Sequence, residues 1–295
     1  LGYFGVAFFV KAALLAVPGL AQRKYAWMCV LFPSVVYWPA SIGKEAVVML
    51  GLGVGTYGIA IMFARRKWVR SVSLVAVGLG FAGLVRPHMA GIWLAAALPA
   101  LVLASVLGGR SLAIAGPPKK SSRFGVIVIV ALAAVALSAV GSITVRFLDP
   151  GNDDVSTSSF SDILAETQRR SAKNGSTFEP SSVARPVNWP FAVARTLTRP
   201  LPIEARSIAQ ALSAAELVAL GGFYAISWQR LRNLPRMLFT NPYLAFWLTA
   251  LFLGALAYSS FANLGILTRQ KSLLFPFMLL APCLPLWGRT RPEDS

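Results

Sequence analysis

Glu45, His88 and Glu204 are side chains that can move a proton, and Lys44, Arg86, Arg199, Asn263, Arg269 and Lys271 are side chains that can hold an anion. They fall in a few short polar stretches between long apolar runs: Ser41-Ile42-Gly43-Lys44-Glu45, Arg86-Pro87-His88, Arg199 to Arg206, and Asn263 to Ser272. Arginine suits bidentate phosphate recognition, so Arg86 fits a pyrophosphate-linked substrate. Asn263 with Arg269 and Lys271 puts an amide and two cations in one turn, an anion-binding combination. A carboxylate base would come from Glu45, Asp149, Asp153, Asp154 or Glu204, and no spacing singles one out. His88 is the single histidine, so no cluster of His ligands can form, and neither a metal nor a cofactor is expected. Each of these residues also has a plainer role. Glu45 in the first turn of a helix satisfies the helix dipole. Arg86 can snorkel to an interface, His88 can be a satisfied interfacial histidine, and Arg269 and Lys271 can contact lipid headgroups.

The elements that carry these residues follow from composition. The 295 residues are 56% hydrophobic and 13% charged, and the mean hydropathy is +0.63, far more apolar than a soluble domain of this size. The formal net charge of +17 would point to nucleic acid in a soluble protein. Here the cations punctuate apolar runs, as orientation signals do, and no nucleic-acid partner is expected. Cys29 and Cys283 each sit in an apolar run and read as small hydrophobes. The chain opens without Met inside an apolar run, so upstream helices are expected. A membrane helix needs roughly 20 apolar residues. About nine stretches qualify or nearly qualify: 1–20, 25–40, 44–63, 70–86, 88–107, 124–147, 206–228, 242–262 and 273–289. The second and fourth are short, and Pro33 and Pro39 interrupt the second, so one of these two is expected to be a tilted, broken or re-entrant segment rather than a clean span. The fold class is therefore all-α, a polytopic transmembrane bundle with helices 1–6 in residues 1–147, a long extracytoplasmic loop over 148–205, and helices 7–9 with a short cytoplasmic tail in 206–295.

Orientation comes from three basic clusters without acids: Arg65-Arg66-Lys67 with Arg70, then Arg110 to Arg123, then Arg230, Arg232 and Arg236. Each pair is separated by an even number of spans, and Arg289 and Arg291 fall on the same side, which the positive-inside rule makes cytoplasmic. The candidate site residues then gather at the opposite face. The 148–205 loop holds most of the acidic residues, with an interfacial helix expected over Phe160, Ile163, Leu164 and Thr167 and a second membrane-hugging piece from Arg195 to Arg206. Lys11 and Glu216 fall near the middle of the first and seventh spans, which suits either mutual pairing or, if the first helix starts upstream of Leu1, a snorkelling Lys11. No internal repeat and no nucleotide-phosphate loop occurs.

The segments Phe32-Pro33-Ser34-Val35-Val36-Tyr37-Trp38-Pro39-Ala40-Ser41-Ile42-Gly43-Lys44-Glu45, Arg86-Pro87-His88, Arg199-Pro200-Leu201-Pro202-Ile203-Glu204-Ala205 and Asn263-Leu264-Gly265-Ile266-Leu267-Thr268-Arg269-Gln270 together resemble the multi-spanning proteins of bacterial exopolysaccharide and O-antigen clusters, the membrane glycosyltransferases and polysaccharide polymerases. The resemblance implies transfer of a sugar or glycan from a polyprenyl-phosphate carrier at the outer face of the bacterial cytoplasmic membrane, with Arg86, Arg269 and Lys44 on pyrophosphate and an outer carboxylate or His88 assisting the acceptor hydroxyl. Its partners would be a polyprenyl-phosphate-linked glycan and membrane lipids. The acidic first outer loop usual in such enzymes is not seen, and the adjacent pair Asp153-Asp154 lies in the long loop instead. A transporter or flippase for a lipid-linked glycan, and a noncatalytic partner of envelope-assembly subunits, are the other readings.

Overall fold

The computed structural model describes residues 1–40, 43–65, 67–107, 178 and 185–286. The expected span 124–147, the basic residues Arg66 and Arg110 to Arg123, Asp149, Asp153 and Asp154, the 160–167 helix, and Arg289 and Arg291 lie outside the described residues.

Every regular element among the described residues is a helix. Helices α1 (Gly2–Ala16), α2 (Gln22–Leu31), α3 (Pro33–Ala40), α4 (Lys44–Arg65), α5 (Trp68–Val85) and α6 (Pro87–Leu107) are followed by α7 (Trp189–Thr198), α8 (Ile208–Ile226), α9 (Trp228–Leu231), α10 (Leu234–Thr240), α11 (Pro242–Tyr258), α12 (Leu264–Lys271) and α13 (Phe275–Met278). Four of them, α4, α5, α6 and α8, are long and apolar enough to cross a membrane, and a fifth span results if the bent pair Trp228–Thr240 and Pro242–Tyr258 counts as one. The bend between these two is 109°. It falls at Asn241, which is extended because a following proline disfavours the helical region. The Asn241 side chain accepts from Tyr243 N–H at 3.0 Å and donates to the Ala16 carbonyl at 2.8 Å, so the bend is tied to the end of α1.

Helix α4 is the packing centre. Gly51 and Gly55, one turn apart, face α5 at Gly78, Leu79 and Ala82, whereas Gly53 turns to the opposite side and lies against the backbone of Gly5 in α1. Without an aqueous phase to drive association, close backbone approach at small residues supplies the dispersion contacts that hold such helices together. The Gly53–Gly5 and Phe8–Tyr57 contacts run α1 parallel to α4, and α5 returns antiparallel.

The sequence places spans at 1–20, 25–40 and 273–289 that the structure does not build as continuous helices. Helix α1 stops at Ala16, ahead of Pro18 and of Gly19 with φ +72°. The 25–40 stretch is α2 and α3, broken where Pro33 offers no N–H, as the proline pattern anticipated. The last stretch is Ser272–Leu274 and Ala281–Cys283 as 3-10 turns around the four-residue α13, because Pro276 and Pro282 interrupt the hydrogen-bond ladder. A broken helix is tolerated at membrane depth only where protein surrounds it, and Leu273, Leu274, Phe275, Phe277, Leu279, Leu280, Cys283 and Leu284 are all fully buried or nearly so. Its carbonyls are met by neighbouring elements. Tyr25 Oη donates to Pro276 O, Trp247 Nε1 to Phe277 O and Tyr224 Oη to Met278 O, each at 2.8 Å. Ala21 N–H donates to Cys283 O at 2.9 Å, and Arg230 to Leu284 O. Tyr25→Phe strands a buried carbonyl and is expected to lower stability by about 2 kcal/mol. Thermal unfolding in detergent micelles checks this against Tyr37→Phe, an exposed tyrosine, and equal midpoints for the two variants would refute the account.

The bundle has two ends of different character. Lys67, Lys24 and Arg230 share the end where α4 finishes and α5 starts, with Lys24 donating to Ser227 Oγ at 3.0 Å and to Pro282 O at 3.2 Å. Lys44, Glu45, Arg86 and His88 lie at the other.

Candidate functional site

Glu45 occupies the first turn of α4, where a carboxylate meets the positive end of the helix dipole. The structure gives it more than that. The residue is 0% exposed, and its two carboxylate oxygens are divided between two guanidiniums. Arg86 Nη2 reaches Oε1 at 2.5 Å and Arg269 Nη2 reaches Oε2 at 2.6 Å. Arg86 stands at the C-cap of α5 and is the single residue between α5 and α6, and its Nη1 donates to Gln270 Oε1. Arg269 and Gln270 come from α12, which Asn263 starts by accepting from Gly265 N–H at 2.9 Å and Ile266 N–H at 3.2 Å. Three elements distant in sequence therefore meet at one carboxylate. The Arg86 side chain is nearly buried, while that of Arg269 is 44% exposed, so Arg269 is the more accessible of the two guanidiniums.

Arg269 and Lys271 do not act together as the sequence implies. Two residues apart on a helix is a rotation of about 200°, so Lys271 points the other way, into the protein. It is fully buried and donates to the Arg199 carbonyl. Burial pushes its ammonium down to about 7 against the opposing pull of Glu216. Arg199 pairs with Glu204 at 2.9 Å and lies over the Phe178 ring at 4.7 Å. Glu204 also accepts from Leu201 N–H at 3.0 Å, closing the short turn Pro202–Glu204. Glu216 accepts from Ser34 N–H at 2.5 Å and from Ser34 Oγ, capping the start of α3. A Lys11–Glu216 pair does not form. Lys11 is exposed and its ammonium lies 5.7 Å from the Phe8 ring centroid, whereas Glu216 is buried and taken by Ser34 of α3.

Of the nine residues singled out by sequence, Glu45, Arg86 and Arg269 converge directly. Lys271, Arg199 and Glu204 form a second polar group joined to the first through α12. His88 sits half-buried beside Arg86, and Lys44 is exposed. Asn263 is a helix cap. Gln270, Ser34 and Glu216 complete the two groups. Gln270 and Ser34 lie in the quoted motifs, yet nothing in their residue type marked them for a role. Helix α7, within the long loop, is legible in retrospect from Trp189, Ala192, Val193, Thr196 and Leu197 at helical spacing; Ala192, Val193 and Thr196 are buried.

Two cavities flank the second polar group. One of about 300 Å³ is lined by Pro33, Ser34, Tyr37, Trp38 and the start of α8. The other, about 460 Å³, runs along α8 beneath Leu197 to Pro202 and is almost wholly apolar. Comparison of the chain with protein-family models, curated proteins and solved structures finds no match.

Proposed function

We propose that this chain works in envelope polysaccharide biosynthesis, transferring or polymerising polyprenyl-phosphate-linked sugars at the outer face of the bacterial cytoplasmic membrane. The observation that carries the reading is the buried Glu45 shared by two guanidiniums, one of them accessible, at the bundle end away from Lys24, Lys67 and Arg230. Pyrophosphate offers those guanidiniums a stronger bidentate acceptor than one carboxylate. As it takes Arg269 and then Arg86, Glu45 is released as a base. The acceptor hydroxyl oxygen attacks the anomeric carbon and the bond from that carbon to the phosphate oxygen breaks. The hydroxyl proton passes to Glu45, and the charge left on the carrier pyrophosphate is stabilised by the two arginines. The aromatic lip at Tyr37 and Trp38 suits a sugar face, and the apolar groove beside α8 suits a lipid.

A flippase reading would draw on the broken segment 272–284, since discontinuous helices occur at transporter sites. Here the carbonyls of Pro276, Phe277 and Met278 at the breaks are taken by Tyr25, Trp247 and Tyr224 rather than left for a substrate or ion, which favours transfer. The test is lipid-linked glycan in cells carrying Arg269→Ala, with protein abundance measured alongside. We expect short or unextended carrier-linked units to accumulate on the outer leaflet at normal protein level. Accumulation on the inner leaflet would instead assign a flippase, and unchanged glycan would rule out a role for this site.

A further inference from the structure

Three sulfur atoms gather toward the end of the bundle opposite Glu45, and the transfer reading uses none of them. Met28 and Cys29 lie on α2 and Cys283 closes the 3-10 turn Ala281–Cys283. Both cysteines are free thiols and fully buried. Residues four apart share a helix face, so Lys24 stands over Met28 and Tyr25 over Cys29. Both of these leading residues reach the broken segment, Lys24 Nζ donating to Pro282 O at 3.2 Å and Tyr25 Oη to Pro276 O at 2.8 Å, which turns the sulfur-bearing face of α2 toward it. The turn is pinned at three successive carbonyls. Beside the Lys24 bond to Pro282, Ala21 N–H holds Cys283 O at 2.9 Å and Arg230 holds Leu284 O. In that frame the Cys283 thiol donates to Met28 Sδ at 3.7 Å, and the Cys29 side chain interacts with those of Tyr25 and Cys283.

Two thiols and a thioether are the donor set of a soft cation. Among the described residues no group of three His, Cys, Asp or Glu could hold a metal, so harder ions have no comparable site there. The 3.7 Å between Cys283 Sγ and Met28 Sδ is close to what shared ligation needs, because a trigonal metal about 2.3 Å from each sulfur sets its sulfurs about 4 Å apart.

We propose that Met28, Cys29 and Cys283 form a binding site for Cu⁺. Each thiol gives up its proton on binding, so Cu⁺ and two thiols yield a copper bis-thiolate with one negative charge and two released protons, and the Met28 sulfur is the neutral third donor. Lys24 and Arg230 both act electrostatically on Cys283, and they balance a charge that apolar surroundings alone would not hold. The site lies toward the end that Lys24, Lys67 and Arg230 mark as cytoplasmic. Pro285 and Leu286, just past Cys283, are only half-buried, which gives the ion a short way in from that side.

The test titrates the full chain, purified in detergent without oxygen, with Cu⁺ against bicinchoninate as competitor. We expect one Cu⁺ per chain, with sulfur neighbours alone in the X-ray absorption spectrum of the copper. Cys29→Ala and Cys283→Ala should each weaken binding about a hundredfold or more, since loss of even an outer partner of a metal ligand costs roughly 10–100-fold. Met28→Leu, a volume-conserving change that keeps the fold, should weaken it about tenfold, less than loss of a charged thiolate. Met49→Leu, at a buried methionine of α4, should bind as the wild type does. Melting of the metal-free variants, followed alongside, separates a lost ligand from a lost fold. Wild-type affinity in Met28→Leu or Cys283→Ala, nitrogen or oxygen neighbours at the copper, or no copper bound to the wild type would overturn the three-sulfur site. Zn²⁺ held as tightly as Cu⁺ would overturn its assignment to a soft ion.

Discussion

Glu45→Ala will lower the thermal midpoint of the detergent-solubilised protein by roughly 10 °C, the consequence of about 3 kcal/mol lost. The size follows from what the substitution strands. Glu45 is fully buried between Arg86 and Arg269, and removing one partner of a buried ion pair leaves a charge in low dielectric with nothing to balance it, at a cost of about 3–5 kcal/mol. The lower part of that range applies because Arg269, at 44% side-chain exposure, can turn to solvent. Arg86, nearly buried and held by Gln270, cannot. Adding Arg86→Leu to Glu45→Ala should therefore recover part of the loss, since a buried pair replaced by apolar groups is close to neutral. A Glu45→Ala protein melting with the wild type would show that the carboxylate contributes nothing to the fold. In that event Glu45 would have to be judged on catalysis alone.

Gly53→Val will separate α1 from α4, at a cost of about 3 kcal/mol or more. The reason is geometric. A Cβ at Gly53 falls on the carbonyl group of Gly5, and a Cβ at Gly5 falls on the carbonyl of Met49, so the obstacle is backbone on both sides and no rotamer change relieves it. The natural control is Gly80→Ala in α5, where a Cβ meets nothing within 4 Å and the helix gains up to about 1 kcal/mol in propensity. Thermal unfolding of the two variants side by side should move in opposite directions. If Gly53→Val melted with the wild type, the close approach of α1 to α4 would be wrong, and so would the parallel arrangement that puts Pro39 and Glu45 at the same end as the start of α1.

Apolar runs are a local property, and α4, α5, α6 and α8 were legible to within a few residues because a membrane-length helix needs only its own side chains and its own backbone bonds. The convergence of Glu45 with Arg86 and Arg269 was legible as a shared end of the bundle, since helix ends alternate sides and short basic loops mark one of them. Which groups touch at that end was decided by tertiary structure. Lys271 looked like a companion of Arg269 until the helical rotation turned it inward to Arg199. Glu216 looked like a partner for Lys11 until the packing of α3 on α8 brought Ser34 to it instead. The last stretch, apolar enough to read as a span, is broken at Pro276 and Pro282 and survives because Tyr25, Tyr224 and Trp247 supply the donors its carbonyls need. Hydropathy records how apolar a segment is. It carries no information on the azimuth of a side chain or on a donor more than 200 residues away, as Tyr25 is from Pro276, and these are what determine where a buried charge or a broken helix finds its partner.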